Sequence, residues 1–304
     1  MDLSVTKRVL LFVAISYSLA ILIDCIIFYL NQLEYAFLWG FARMWSVTLA
    51  TIICLYIGRE SILTSLKSII NPVKKVLKPY LIAPFVVYLA LCIYIAIATP
   101  LNLFNLNAYI SAIVEFLVEH GVPEEQARMI AIIAVYSIFI LGYIYAITIN
   151  ALFALGEEIG WRGYLFDQLK NRPMYLSTII IGLIWGYWHT SAIILLGHNY
   201  YINRFLGGFV LFPLFTTAIT YPYLELVRRS KSVLPAASLH GALNALWGIT
   251  IVASTLPPEA SEIYLGLGVL GIVSWTILSV ALYLALRFRQ RYLLTPKKTN
   301  LETP

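Results

Sequence analysis

Charge is scarce in this chain. Of its 304 residues, 12% are charged and 61% are hydrophobic. A soluble domain usually carries about 25% charged and about 45–50% apolar residues. The shortage leaves too few polar groups to cover a water-exposed surface, which excludes a soluble globular domain and makes a bilayer the natural solvent. Cysteine is equally sparse. Cys25, Cys54 and Cys92 each stand alone in a different apolar run, with no CxxC and no Cys/His pair. That excludes a disulfide framework and a cysteine-based zinc site, and the three read as small packing residues. Several catalytic signatures are also missing. There is no His-Glu-x-x-His, no Gly-x-Ser-x-Gly and no facing pair of membrane aspartates. The usual helical zinc-protease motif and the serine nucleophile elbow are thereby excluded. No internal repeat is visible, which argues against a transporter built from inverted halves.

What is present is a series of long apolar runs. About 20 apolar residues cross a bilayer as a helix, because every backbone polar group must be satisfied internally there. Eight runs qualify: 9–30, 36–57, 80–99, 129–152, 174–197, 205–224, 233–255 and 264–286. The first follows Lys7 and Arg8 and ends without a small-residue cleavage pattern, so it reads as a retained helix. The expected fold is therefore an all-α polytopic membrane protein of about eight transmembrane helices enclosing a polar site. One membrane-embedded domain covers 1–295, and 296–304 is a disordered tail.

The net charge is +6, and its basic residues lie in short loops. Loops 58–79 and 225–232 and the tail are basic, whereas 31–35, 100–128 and 256–263 are acidic. This alternation predicts orientation in a cell membrane with both termini cytoplasmic, and no nucleic-acid partner. Segment 100–128 should form one or two short interfacial helices, with a helix start at Pro123-Glu124-Glu125.

Ionisable residues inside spans are expensive and usually functional. Asp24 and Arg43 lie equally far from loop 31–35, so a helical hairpin brings them to one depth as an ion pair. That pair either locks the hairpin or serves an ion or proton path. The larger group lies in the motif core, about 150–255. Glu158 and Arg162 are four apart and can pair on one helix face. Glu157 and His189 are each sixteen residues from Pro173, in the plausible turn Asn171-Arg172-Pro173. A hairpin closed there sets them level. His240 and Asn244 are again four apart and face one way. The two levels agree only if the 157–189 hairpin protrudes beyond the membrane, on a long helix running from near Met129. A carboxylate and an imidazole at one depth can hold and activate a water, and an imidazole with an amide can donate to an oxyanion. Polar contact between helices is the alternative reading. His120 and His198 fall outside the spans and read as solvated loop residues.

These motifs resemble those of the CAAX-protease and bacteriocin-processing membrane family, also called Abi. Its pattern is Glu-Glu-x-x-x-Arg, Phe-x-x-x-His and His-x-x-x-Asn. This chain has Glu157-Glu158-x-x-x-Arg162, Trp185-x-x-x-His189 and His240-x-x-x-Asn244. The departure is Trp185 in place of Phe, which keeps an aromatic ring. The resemblance implies an intramembrane endopeptidase opening toward the cytoplasm. Glu157 and His189 would activate water, His240 and Asn244 would form the oxyanion hole, and Glu158 and Arg162 would hold the geometry. It also implies a peptide or prenylated protein substrate. The family is commonly labelled a metalloprotease, and Glu157, His189 and His240 are the three candidate zinc ligands; metal-free glutamate chemistry is the competing expectation. A non-catalytic scaffold or immunity-type protein and a transporter are the alternative functions.

Overall fold

The computed structural model describes residues 4–30, 36–71 and 73–294. Loop 31–35 and the expected tail 296–304 lie outside the described residues. Within them the chain is an all-α polytopic membrane protein, and extended backbone pairs only at an isolated bridge between Phe104 and Ser254. The helices run α1 (Val5–Leu30), α2 (Ala36–Ile57), α3 (Ile62–Ile70), α4 (Val73–Ile82), α5 (Phe85–Ala98), α6 (Leu106–Glu119), α7 (Glu124–Ala146) and α8 (Ile149–Glu158). A π-helix, Ile159–Leu165, continues α8. After α9 (Phe166–Gln168) come α10 (Met174–Trp188), α11 (Thr190–Leu196), α12 (Arg204–Leu206), a second π-turn at Gly207–Leu211 and α13 (Phe212–Ser230). The chain closes with α14 (Leu234–Leu246), α15 (Ile249–Val252), α16 (Pro258–Tyr264) and α17 (Val269–Leu294).

Among the described residues, seven stretches are long and apolar enough to span a membrane: Val5–Leu30, Ala36–Ile57, Val76–Ala98, Glu124–Ala146, Met174–Leu196, Arg204–Ser230 and Pro258–Arg289. The eighth expected span, 233–255, is not one of them. Its helix α14 has 13 residues, and from Leu234 to Leu243 every one of them is buried. A short helix buried on every side from Leu234 to Leu243 belongs in a protein core rather than against lipid. The long helix expected from Met129 through Glu157 is also corrected. The chain leaves helical geometry at Thr148 (φ −123°, ψ −102°), between α7 and α8.

Polarity is inverted relative to a soluble protein. Leu22, Ile133, Ile140 and Phe205 are more than half exposed on the outer surface. Asp24, Arg43, Glu157, Glu158, Arg162, His189 and His240 are buried. Lipid solvates the first set and cannot solvate the second. Helix α6 joins the two patterns: Leu106, Tyr109, Ile110, Ile113, Val114 and Leu117 are half-buried at helical spacing, while its other face is open. Its side-chain cap is Asn105, which accepts from Asn107 N–H at 3.0 Å. The next helix, α7, starts at Glu124 after Pro123, as the sequence leads one to expect.

Small residues let the core helices approach backbone to backbone, the usual device where lipid supplies no hydrophobic drive. A Cβ on Gly241 of α14 would collide with the Ala146 carbonyl and the Asn150–Ala151 backbone, where α7 breaks into α8. Asn150 Nδ2 donates to the Gly241 carbonyl at 3.2 Å across that contact. Gly156 of α8 leaves room for Trp45 of α2, and Thr48 Oγ1 donates to the Gly156 carbonyl at 2.6 Å. Helix α8 is thus clamped between α2 and α14, which fixes the position of Glu157.

The turn at Leu169–Pro173 closes the hairpin of α8 and α10, with Arg172 N–H donating to the Leu169 carbonyl at 2.9 Å. Gly163 packs on Ile69, and the Ile69 carbonyl accepts from Val233 N–H at 3.1 Å. Gly163 and Val233 therefore share one level, and the hairpin tip carrying Asp167, Lys170 and Arg172 protrudes past it. Glu157 is six residues from Gly163 and His240 seven from Val233, or roughly 9–10 Å of helix each way. This offset of the hairpin tip relative to Val233 is what lets the two motifs meet.

Candidate active site

Glu157, His189, His240 and Asn244 line one cavity of about 340 Å³, together with Arg43, Trp185, His198 and apolar walls from Phe212, Phe215, Ile219, Leu243 and Leu267. Glu157 is 2%, His189 7% and His240 4% exposed, while Asn244 stands at the open rim. Glu157 uses one carboxylate oxygen for structure. Its Oε2 accepts from Trp185 Nε1 at 2.6 Å and Trp161 Nε1 at 3.3 Å. Its Oε1 has no hydrogen-bond partner among the described residues and is left for the cavity.

Both histidines are oriented from behind. The Nδ1 of His189 lies 3.0 Å from the Trp185 carbonyl, an acceptor, so Nδ1 carries the hydrogen. The Nε2 lone pair of the neutral ring is then free. The Nδ1 of His240 lies 2.8 Å from Glu158 Oε1, which fixes its hydrogen in the same way. Glu158 also accepts from Arg162 Nη1 at 3.0 Å, and both side chains of this pair are fully buried. The Arg162 guanidinium is sandwiched between Trp185 (3.9 Å) and Tyr223 (4.4 Å). Arg162 also lines a second cavity of about 690 Å³ at the basic end of the bundle, together with Lys170, Arg172, Lys231 and Arg287. The layer of Arg162 and Trp185 therefore separates the two cavities.

Trp185 does more than the aromatic replacement read from the sequence. Its indole N–H holds Glu157, its ring lies 6.0 Å from His189 and 5.3 Å from His240, and its carbonyl orients His189. Glu157, His189 and His240 are arranged around this one indole. Among the described residues no three His, Cys, Asp or Glu side chains come together as a group able to hold a metal ion. The three candidate zinc ligands, Glu157, His189 and His240, do not form such a group among the described residues.

Two further residues join the site. Arg43 pairs with Asp24 as expected, its Nε 3.0 and 3.2 Å from the two carboxylate oxygens. The pair is not remote from the motif residues, because Arg43 lines the same cavity. His198 is the clearer correction. Gly197 (φ +71°) turns the chain at the end of α11, and His198 N–H returns to the Ala192 carbonyl. This folds the imidazole inward, 5.3 Å from Trp39 and parallel to His189 at 6.4 Å. Burial, and then the Arg43 guanidinium, push its pKa down to about 4. His120 is exposed, as expected, its Nδ1 on the Phe116 carbonyl at 2.7 Å.

The cavity extends from Glu157 away from the basic turns. Its rim residues Trp39, Asn199, Gly248 and Leu267 all belong to the opposite end of the bundle.

The chain is a helical membrane protein with carboxylate, imidazole and amide groups lining one cavity inside the bundle. Comparison narrows the class. Residues 136–246, which hold all three motifs, match the family model described as type II CAAX prenyl endopeptidase Rce1-like. Over 43 residues the chain is 44% identical to CAAX prenyl protease 2 of Methanococcus maripaludis, a stretch covering 14% of this chain and 16% of that relative. No solved structure matches.

Proposed function

We propose that the chain is an intramembrane endopeptidase of the CAAX prenyl protease type, acting on a peptide or prenylated protein. One observation carries this reading: an unbonded carboxylate oxygen of Glu157 and an unbonded imidazole nitrogen of His189 belong to side chains that line one cavity with His240 and Asn244. Supporting it is the match of this segment to the CAAX prenyl endopeptidase model.

In the proposed reaction a water bonded to Glu157 Oε1 or His189 Nε2 attacks the peptide carbonyl. Its oxygen bonds to carbon as its proton passes to that base. The carbonyl electron pair moves to oxygen, where the Asn244 amide donates to it. His240 Nε2 donates only when the ring is doubly protonated, and Glu158 is placed to partner that imidazolium. Collapse breaks the carbon–nitrogen bond, and the stored proton passes to the departing amine. Trp161, Trp185 and Arg162 position the reacting groups.

Hydrolysis in ¹⁸O-labelled water, followed by mass spectrometry, tests the reaction type. A prenylated CAAX-type peptide should yield a new carboxyl terminus holding one label. Intact peptide after long incubation with folded protein, for prenylated and unprenylated substrates alike, contradicts the assignment.

A further inference from the structure

The buried ion pair of α1 and α2 has a donor to spare. Asp24 is saturated: it accepts from Arg43 Nε, from Trp39 Nε1 at 2.9 Å and from Ser191 Oγ at 2.6 Å. Arg43 spends Nη2 on the Trp188 carbonyl at 2.7 Å, and its guanidinium lies 3.7 Å from the Trp188 ring. The Arg43 side chain is only 4% exposed. Its Nη1 has no partner among the described residues, yet the residue lines the catalytic cavity. A locking pair would be complete without that free donor.

The second donor beside it is His198. Neither of its ring nitrogens is hydrogen-bonded within the described residues, and its ring lines the same cavity. The same cavity also has apolar walls: Phe212, Phe215, Ile219 and Leu267. A ligand suited to these surfaces has apolar side chains and one anionic, planar end. A guanidinium N–H next to an imidazole N–H matches the two oxygens of a carboxylate.

We infer that Arg43 and His198 form a subsite for the free α-carboxylate of a short apolar peptide, so that the fragment leaving the scissile bond is read by its carboxyl end. This rests on the peptidase reading for its place in the reaction, but not for its binding chemistry. Asp24, Trp39 and Ser191 are then positioning residues, holding the guanidinium so that Nη1 faces the ligand.

The experiment compares an acetylated Val-Ile-Met tripeptide with a free carboxylate against the same peptide as its C-terminal amide. Binding to wild-type protein in detergent is read by tryptophan fluorescence, since Trp39 and Trp185 line the cavity. The acid should bind at least tenfold more tightly than the amide, and His198→Leu should remove most of that preference while leaving amide binding unchanged. Equal binding of acid and amide to the wild type overturns the subsite without any question of misfolding. Full preference retained in His198→Leu overturns the part given to His198. Preferred binding of the acid, with no cleavage of longer peptides ending in Val-Ile-Met, leaves the subsite standing and removes the peptidase reading.

Discussion

Replacing Glu158 by alanine should be the most damaging single change to folding in the motif core. Glu158 Oε1 accepts from both Arg162 Nη1 and His240 Nδ1, and neither acid nor guanidinium has any exposed side-chain surface. Arg162 Nε and Nη2 already lack partners. In Glu158→Ala the guanidinium keeps its two aromatic neighbours and loses its only counter-charge. Removing one partner of a buried pair costs about 3–5 kcal/mol. Stacking on Trp185 and Tyr223 is present before and after, so it offsets none of this. Replacing both partners together, Glu158→Leu with Arg162→Met, removes charge and counter-charge at once and should recover most of that loss. Activity should not return, because His240 has lost the acceptor that sets its ring. Reversible unfolding in mixed micelles gives the three stabilities, and a cleavage assay gives the activities. A Glu158→Ala protein within about 1 kcal/mol of wild type, or a double variant as unstable as the sum of the single changes, would refute this account of the pair.

Trp185→Phe removes the stronger of two indole donors to Glu157, a hydrogen bond to a charged group worth about 1.5–3 kcal/mol; kcat/KM should fall roughly 10- to 150-fold, and unchanged steady-state kinetics would show that the indole only fills space. Gly241→Val forces α14 off the α7–α8 junction, with a cost of about 1–3 kcal/mol for overpacking; a lower melting temperature together with lost activity is expected, since His240 is the adjacent residue. His198 gives a pH signature. With its folded pKa near 4 and an unfolded value near 6.5, the unfolded chain binds the proton first as pH falls. Stability from this residue is therefore complete above about 6.5 and is lost progressively toward about 4. Melting curves of wild type should drop more steeply across that window than those of His198→Leu, and parallel curves would refute the depressed pKa of this half-buried imidazole.

Much of this architecture is legible in the residues because the governing geometry is local. Glu158 and Arg162 are one helical turn apart, and the turn before Met174 is set by Pro173. The equal spacing of Asp24 and Arg43 about one loop anticipated an ion pair that bridges α1 and α2 at 3.0 Å. What escaped depends on tertiary packing. The run 233–255 has the hydropathy of a span, yet it is a short helix wrapped by α7, α8 and α13 and broken near Gly248; hydropathy does not separate a lipid-facing helix from one buried in protein. The break at Thr148 arises where Gly241 meets the α7–α8 backbone, a contact nearly a hundred residues distant in sequence. His198 looked like a loop residue because the positive φ of Gly197, which folds it back over the site, is only one of several conformations glycine allows. The Trp185 donor was visible as an atom type, but its acceptor was not.

The most direct test of the central claim is turnover by wild type and Glu157→Gln on one prenylated CAAX-type peptide, with and without a zinc chelator. Glutamine keeps the shape and an acceptor for the Trp185 indole while removing the carboxylate that, with His189, is proposed to hold and activate the water. The account predicts a single cleavage by wild type, unaffected by chelation, and none by a Glu157→Gln protein that melts at a similar temperature. Cleavage retained in Glu157→Gln would contradict it.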